Sequence, residues 1–139
     1  MNIQKFTQKS LEAIQNAQSI ALENQNSQIE QEHLMLSLLE QEDSLIKELL
    51  KKMGITNGFE ETLKNKINMM PKMSGGARPN DSIYVSRDID VTLNDAEKIA
   101  TKMKDEYVSV EHIMLSLFDN ANGQIKDLFR TCLLYTSPS

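Results

Sequence analysis

Hydrophobic residues recur every three or four positions along most of the chain, which is the spacing of amphipathic helices. In residues 7–24, Thr7 is placed to cap the first helical turn. The inner face predicted for this helix consists of Ile14, Ala17, Ile20, Ala21 and Asn24. Residues 31–40 are apolar on nearly every side, which is typical of a helix at the centre of a core.

Two more helices are predicted before residue 71. Residues 44–53 place one apolar face opposite several lysines, and this face consists of Leu45, Ile46, Leu49, Leu50 and Met53. Gly54 followed by Ile55 is typical of a helix stop. A further helix begins near Asn57 and ends at Pro71, with an inner face of Phe59, Leu63, Ile67 and Met70. The first half of the chain is therefore predicted to be a four-helix unit.

The chain contains an internal repeat. The sequence EHLMLSLLEQ at 32–41 recurs as EHIMLSLFDN at 111–120, an offset of 79 residues (111 minus 32). At the same offset, IKELLK at 46–51 matches IKDLFR at 125–130 without a gap. A match that keeps one register over this distance indicates a duplicated unit rather than a chance similarity of helices.

We assign copy one to residues 1–70, a connector to residues 71–84 and copy two to residues 85–130. The connector is rich in Gly, Pro, Ser and Asn, which is typical of a flexible segment. In copy two, Ser109 is a candidate helix cap. The predicted inner faces of copy two consist of Ile89, Leu93, Ala96, Ile99, Ala100 and Met103, followed by Ile125, Leu128 and Phe129.

The repeat predicts a fourth helix for copy two at 136–149, beyond the last residue of the sequence. The terminal sequence TCLLYTSPS matches nothing in copy one. We therefore expect residues 131–139 to be a non-native or truncated tail, and we expect the natural protein to continue.

Composition excludes several classes of protein. The 139 residues carry a net charge of −5, and the lysines are scattered, which argues against a nucleic-acid surface. No apolar run approaches the roughly 18 residues that span a bilayer, so no membrane partner is expected. The single cysteine, Cys132, cannot form an internal disulfide, which favours a reducing, cytoplasmic setting.

Candidate chemistry is sparse. The glycines at 75–76 lack the spacing of a phosphate-binding loop, so no nucleotide site is predicted. His33 and His112 each begin a buried helix without other metal-ligand residues at a suitable spacing, and we expect a structural role for both. Glu32 and Glu111 precede these histidines and leave two interpretations open: an acid–base pair in a helical enzyme, or early-turn acids favoured by the helix dipole.

Leu11 and Val91 are candidates for a peptide-binding groove. Each lies near the start of the first helix of its copy: Leu11 off the centre of the predicted inner face, and Val91 about opposite the inner face. Apolar surface left at these positions would mark a binding site. The alternative is that both are scattered surface or core-edge residues, which are common in folded proteins.

The doubled EH-(L/I)-M-L-S-L motif, with Ala-x-x-Ile-Ala upstream, resembles the N-terminal repeat of the Clp ATPases. Three stretches favour the ClpB disaggregase type over ClpC: KFTQKSLEAIQNAQ at 5–18, MPKMSGG at 70–76 and KDEYVSVEH at 104–112. The resemblance covers about residues 1–130. It implies an all-α fold of two tandem four-helix Clp repeats with pseudo-twofold symmetry, the last helix of the second repeat being truncated.

The resemblance also implies a function without catalysis in this piece. A ClpB-type N-terminal domain captures unfolded or aggregated polypeptide for a hexameric ATPase motor, which is absent here, so ATP and Mg²⁺ are expected only in downstream modules. The isolated domain is expected to be monomeric. Thr7, Asp105 and Glu111 match polar positions implicated in substrate engagement, and Glu32 is the copy-one counterpart of Glu111.

Two related classes remain open. In the ClpC type, the acids at the positions of Glu32 and Glu111 bind phosphoarginine marks and adaptors. A free-standing Clp-repeat protein would dock adaptor proteins, or compete for substrates, without any ATPase module.

Overall fold

A computed structural model of the chain describes residues 3–42, 44–54, 58–73 and 84–134. Within these residues, seven α-helices carry the fold, and the predicted all-α class is confirmed. The helices are α1 (Gln8–Glu23), α2 (Gln31–Glu40), α3 (Leu45–Lys52), α4 (Gly58–Asn68), α5 (Arg87–Lys102), α6 (Val110–Asp119) and α7 (Gly123–Leu134). The remaining elements are a 3₁₀ helix (Ile3–Lys5) and the two-residue strands β1 (Gln28–Ile29) and β2 (Tyr84–Val85).

The first two helices of each copy pack against each other through the same hydrogen bond. The hydroxyl of Ser37 on α2 donates to the carbonyl oxygen of Ala13 on α1 over 2.5 Å. At the equivalent positions, the hydroxyl of Ser116 on α6 donates to the carbonyl oxygen of Thr92 on α5 over 2.6 Å. Small residues on α1 and α5 allow these close approaches, so the repeated sequence produces a repeated helix pair.

Both copies also end their first helix in the same way. Gln25 and Lys104, which are equivalent residues, have left-handed backbone angles of φ 58° and φ 62°. The next residue then donates its N–H back to the helix: Asn26 to the carbonyl of Ala21 and Asp105 to that of Ala100, each over 2.9 Å. This closing bond satisfies a carbonyl that the helix end would otherwise leave free.

The two copies exchange their N-terminal segments. Residues before α1 bond to copy two, where the N–H of Thr7 donates to the carbonyl of Val108 over 3.1 Å. Residues before α5 bond to copy one: β2 pairs in parallel with β1, and the N–H of Ser86 donates to the carbonyl of Ile29 over 3.0 Å. Because each copy completes the other, the two copies form one packed body.

Helix α2 lies at the centre of this body, and nine of its ten residues are buried, as its apolar sequence predicts. Its first residue, Gln31, joins the copies through a fully buried side chain. The amide nitrogen of Gln31 donates to the hydroxyl of Thr92 (3.0 Å) and the carbonyl of Asn120 (2.8 Å), while its oxygen accepts from the N–H of Asn122 (2.8 Å). The sequence pattern gave no sign of this polar link.

Helix α4 buries the predicted face of Phe59, Leu63 and Ile67. It packs on α2 of its own copy and on α7 of copy two. The ring of Phe59 lies 5.4 Å from that of Phe129, and the ammonium of Lys66 lies 3.2 Å from the carboxylate of Asp127. The last helix of copy one is therefore shared between the copies.

Three predicted core residues are exposed. Of the apolar face predicted for α3, Ile46 and Leu50 are buried, but Leu45 and Met53 are 46% and 43% exposed. Met103, which was predicted to lie on the inner face of α5, is 52% exposed. The predictions for Leu45, Met53 and Met103 are wrong, because helical spacing alone does not show which apolar residues of a helix another element covers.

Some of the predicted helix and copy boundaries fall on residues that the structure describes, and others do not. Gly54 has φ 83°, which confirms the predicted helix stop, whereas Ile55 and Asn57 lie outside the described residues. Most of the connector, residues 74–83, also lies outside them. Helix α7 continues to Leu134, past the boundary predicted at residue 130, and residues 135–139 lie outside the described part of the chain. The foreign origin of the tail stays a prediction.

Candidate functional site

The two histidines cap the helices that they begin. The N–H of Glu30 donates to Nδ1 of His33 over 2.8 Å, and the N–H of Ser109 donates to Nδ1 of His112 over 2.9 Å. A ring nitrogen that accepts such a bond carries no proton, so the proton of each neutral ring is on Nε2. The predicted structural role therefore fits the geometry, with the ring accepting a hydrogen bond from the cap.

The second ring nitrogen distinguishes the copies. Nε2 of His33 bonds to Oδ1 of Asn26, and Nε2 of His112 bonds to Oδ2 of Asp105, both over 2.8 Å. Asn26 and Asp105 are equivalent residues, so the duplication has kept the geometry while changing the charge. Burial of the His33 ring lowers its pKa to about 4. This ring stays neutral at physiological pH.

Ser109, His112 and Asp105 superficially resemble a catalytic triad. The hydroxyl of Ser109 lies 3.0 Å from Nδ1 of His112. However, the N–H of Ser109 donates to that same nitrogen, and the hydroxyl accepts from the backbone N–H of the helix in a capping box. In copy one, Glu30 occupies the equivalent position and makes the same box without a hydroxyl group. The arrangement is therefore a helix cap.

Three of the predicted site residues lie around the turn between α5 and α6. Thr7 caps α1 by accepting from the N–H of Ser10, and its own N–H bonds to this turn at Val108. Asp105 is half exposed while it accepts from His112, and Glu111 is exposed in the first turn of α6. The turn also exposes the ring of Tyr107, which sequence reasoning missed. We call Thr7, Asp105, Tyr107 and Glu111 the α5–α6 turn surface.

Glu32 is placed differently from its counterpart Glu111. It is 4% exposed and lines an open groove of about 810 Å³. Oε1 of Glu32 accepts from the side-chain amide of Asn122 over 3.0 Å, and burial raises the pKa of its carboxyl. The groove is lined further by Glu30, Lys66, Met69 and Pro71. It lies between the start of α2, the end of α4 and the start of α7.

The two apolar groove candidates occupy unlike positions. Val91 is 43% exposed on α5, as its position off the inner face predicts. Leu11 is half-buried and packs against the core cluster. They are not equivalent residues, since Leu11 corresponds to Asp90 and Val91 to Glu12. Leu11 therefore matches the core-edge alternative, and a binding role for either residue stays a prediction.

The part of the chain that the structure describes contains no group of three His, Cys, Asp or Glu residues able to hold a metal ion. None of its helices is both long and apolar enough to cross a membrane. The prominent features are thus the α5–α6 turn surface and the Glu32 groove.

The chain is similar to known proteins over most of its length. The family model of the Clp repeat (R) N-terminal domain matches residues 5–132. The chain is 39% identical over 129 residues to the chaperone protein ClpB of Clostridium tetani, and 38% identical over 126 residues to that of Nitratidesulfovibrio vulgaris. These matches cover 92% and 90% of the chain but span about 15% of the length of each relative.

Solved structures share the fold. The Hsp104 N-terminal domain of Candida albicans matches with a TM-score of 0.80 and 28% identity, over 92% of this chain and 81% of that one. The N-terminal domain of ClpD from Arabidopsis thaliana matches with a TM-score of 0.71 and 20% identity, over 94% of this chain and 86% of that one. The resemblance noted in the sequence is thus confirmed, and the chain belongs to the Clp repeat N-terminal domain family, with relatives of the ClpB type.

Proposed function

We propose that this chain is the substrate-binding N-terminal domain of a ClpB-type disaggregase. One observation carries the proposal: nearly the whole chain matches a single module at 39% identity, while spanning about 15% of a ClpB chaperone. In this proposal the domain captures unfolded or aggregated polypeptide and delivers it to the rest of the protein. The domain has no catalytic role in this proposal, and the acid–base enzyme alternative gains no support, since Glu32 is buried whereas Glu111 is exposed and no contact among the described residues joins the two.

The whole protein would supply the remaining parts. The proposal includes a hexameric ATPase motor downstream, with ATP and Mg²⁺ bound there, and a cytoplasmic location. Unfolded proteins, and in some settings adaptor proteins, would be the partners, without nucleic acid or membrane. The isolated domain would be monomeric.

The α5–α6 turn surface supports this role by its chemistry. Tyr107 is 55% exposed and offers an apolar ring with a polar tip, which suits many unrelated peptide segments. Asp105 and Glu111 add acidic charge beside it, which favours segments that carry lysine or arginine. A small exposed surface of this kind binds weakly, and weak binding lets a transfer domain release its substrate.

An NMR titration tests the proposal. A ¹⁵N-labelled chain would be titrated with a reduced, chemically blocked protein that cannot fold, and separately with ATP and Mg²⁺. We expect shifts around Thr7, Asp105, Tyr107 and Glu111 with the unfolded protein and none with the nucleotide. Absence of shifts with the unfolded protein would contradict the proposal. Shifts with the nucleotide would contradict the prediction that the chain has no nucleotide site.

The duplication provides a matched variant for the same titration. Asp105→Asn removes the charge but recreates the contact that Asn26 makes with His33 in copy one, so the fold is expected to be unchanged. We expect this variant combined with Tyr107→Ser to weaken binding at least fivefold. Tyr84→Ser, which changes a residue that is 81% exposed on β2 and lies in neither candidate site, is the control and should leave binding unchanged.

A second candidate function rests on the Glu32 groove. Burial raises the pKa of the Glu32 carboxyl, which means that its charged form is disfavoured in the groove that it lines. A cation that entered the groove would stabilise this charged form. This would suit a ClpC-type or free-standing module that binds adaptors or phosphoarginine-marked proteins. A titration with free phosphoarginine decides between the two: shifts at Glu32 and Asn122 that are lost in Glu32→Gln would favour the second function.

A further inference from the structure

The start of helix α7 is built around Asn122. Its side-chain oxygen Oδ1 accepts the N–H of Ile125 over 2.9 Å, so Asn122 caps the helix that begins at Gly123. Copy one caps the equivalent helix one residue later in the repeat, with the hydroxyl of Ser44. Gly123 stands at the position of Ser44 and has no side chain, and in copy two the residue before it is the cap.

The same residue also joins the two copies. Nδ2 of Asn122 donates to Oε1 of Glu32 on α2 over 3.0 Å, and the N–H of Asn122 donates to the side-chain oxygen of Gln31 over 2.8 Å. Because Glu32 is buried, its charged form depends on hydrogen bonds that the protein supplies. The side-chain amide of Asn122 therefore stabilises a carboxylate that has little contact with water.

Asn122 is followed directly by Gly123, and an Asn-Gly pair is chemically unstable. The backbone nitrogen of the glycine can attack the side-chain amide carbon of the asparagine, because glycine lacks the Cβ that would shield this nitrogen and restrict the backbone. Asparagine counts among the thermolabile residues for this reason. The chain has a second such pair, Asn57-Gly58, but Asn57 lies outside the described residues.

The surroundings of Gly123 leave this attack open. Gly123 is exposed, it lines the Glu32 groove together with Asn122, and a Cβ added to it would meet no atom within 4 Å. In the described part of the chain no group accepts its N–H, as is usual for the first N–H of a helix. The capping side chain of Asn122 folds back over this first turn, which holds its amide carbon on the side of the glycine nitrogen. Base can therefore reach the N–H, and ammonia can leave through the groove.

We propose that Asn122 is a site of spontaneous deamidation, and that this modification weakens the junction between the two copies. Base removes the proton of the Gly123 nitrogen, which forms a bond to Cγ of Asn122 while the bond from Cγ to Nδ2 breaks. Nδ2 takes up a proton and leaves as ammonia. Water then opens the resulting succinimide to aspartate or isoaspartate. The net reaction exchanges the side-chain amino group for the hydroxyl of water and requires no oxidant or reductant.

The product changes the contact with Glu32. Aspartate still caps α7, since its carboxylate can accept the N–H of Ile125. It has no N–H to donate, so it sets a second carboxylate against Oε1 of Glu32, and two carboxylates that share a site oppose each other's charge. Isoaspartate also lengthens the backbone, which displaces the N–H that binds Gln31. The proposal depends on neither candidate function, because it concerns the packing of the two copies.

Mass spectrometry tests the reaction. The folded chain is kept in mildly alkaline buffer for several weeks and digested with trypsin, and the fragment of residues 105–126 is sequenced. We expect loss of the amide at Asn122 but not at Asn120, which lies in the same fragment and precedes Ala121. Gly123→Ala, for which the structure has room, should slow the loss by about tenfold or more. An Asn122 that reacts no faster than Asn120, or equally fast in Gly123→Ala, would overturn the proposal.

Urea unfolding tests the consequence. Asn122→Asp imitates the product and should lower the unfolding midpoint. Glu32→Gln should raise the midpoint more in Asn122→Asp than in the original chain, because the glutamine amide can donate to the new carboxylate and remake the bond with donor and acceptor exchanged. A midpoint that Asn122→Asp leaves unchanged, or an equal effect of Glu32→Gln in both backgrounds, would show that deamidation does not act through Glu32 and would overturn the proposal.

Discussion

Acid should destabilise this domain through His33, a fully buried ring. Its pKa is about 4 in the fold, against about 6.5 in an unfolded chain. Between these values the unfolded chain binds a proton that the folded one does not. The contribution of the neutral His33 to stability is therefore fully present above pH 6.5. It falls as the pH drops towards 4 and changes no further below that.

The folded ring resists the proton because it is buried, which disfavours its charged form. Protonation would add a hydrogen to Nδ1, which accepts the N–H of Glu30, so the capping box of α2 would open. At 1.36 kcal/mol per pKa unit, the shift corresponds to about 3 kcal/mol in total, of which about 2 kcal/mol is lost between pH 7 and pH 5. This is a large fraction of the stability of a small domain.

His33→Gln separates this effect from the other titrating groups. Glutamine can accept the N–H of Glu30 in the same capping box but does not titrate. Glu32, whose pKa is raised, contributes with the opposite sign, since its stabilising effect is lost as the pH rises above 4.5. Both proteins contain Glu32, so their difference reports on His33.

The assay is urea unfolding followed by circular dichroism at pH 7 and pH 5. We expect the original chain to lose about 2 kcal/mol more between these two pH values than His33→Gln does. Equal losses in the two proteins would refute the link between His33, the cap and acid sensitivity.

Two further substitutions test the packing. Gln31→Ala should lower the free energy of unfolding by about 3 kcal/mol, because it removes a fully buried side chain and leaves the part-buried N–H of Asn122 and carbonyl of Asn120 without this partner. Gln15→Ala, on the exposed side of α1, should change it by under about 0.5 kcal/mol, and thermal and urea unfolding compare the two. Leu63→Ala, at a fully buried position of α4, should cost about 2–5 kcal/mol, and Leu45→Ala, at a position 46% exposed, should cost under about 1 kcal/mol. Similar costs for both would contradict the difference in burial between these two leucines.

The repeated sequence was sufficient to predict much of this fold. Helical spacing located every described helix, and the apolar run at 31–40 predicted the central position of α2. The offset of the repeat predicted that Ser109 and His112 would share a helix start like that of copy one. These features depend on local spacing, which a single sequence displays.

Features that depend on partners distant in the chain could not be predicted. The cross-copy bonds of Gln31 join residues about 90 positions apart, and nothing beside Gln31 in the sequence indicates them. Periodicity also assigns every apolar residue of a helix to a core, so it could not separate Ile46, which is buried, from Leu45, which is exposed. The burial of Glu32, unlike that of Glu111, likewise involves a distant partner, since the side-chain amide of Asn122 donates to its carboxylate.

The exchange of N-terminal segments has a consequence for the connector. Each copy needs the other, since Thr7 bonds to Val108 of copy two and Ser86 to Ile29 of copy one. The connector makes this association intramolecular, and joining two binding partners in one chain raises the effective concentration of one at the other. Proteolytic cleavage between residues 73 and 84 would therefore leave two halves held by contacts alone, and dilution would separate and unfold them.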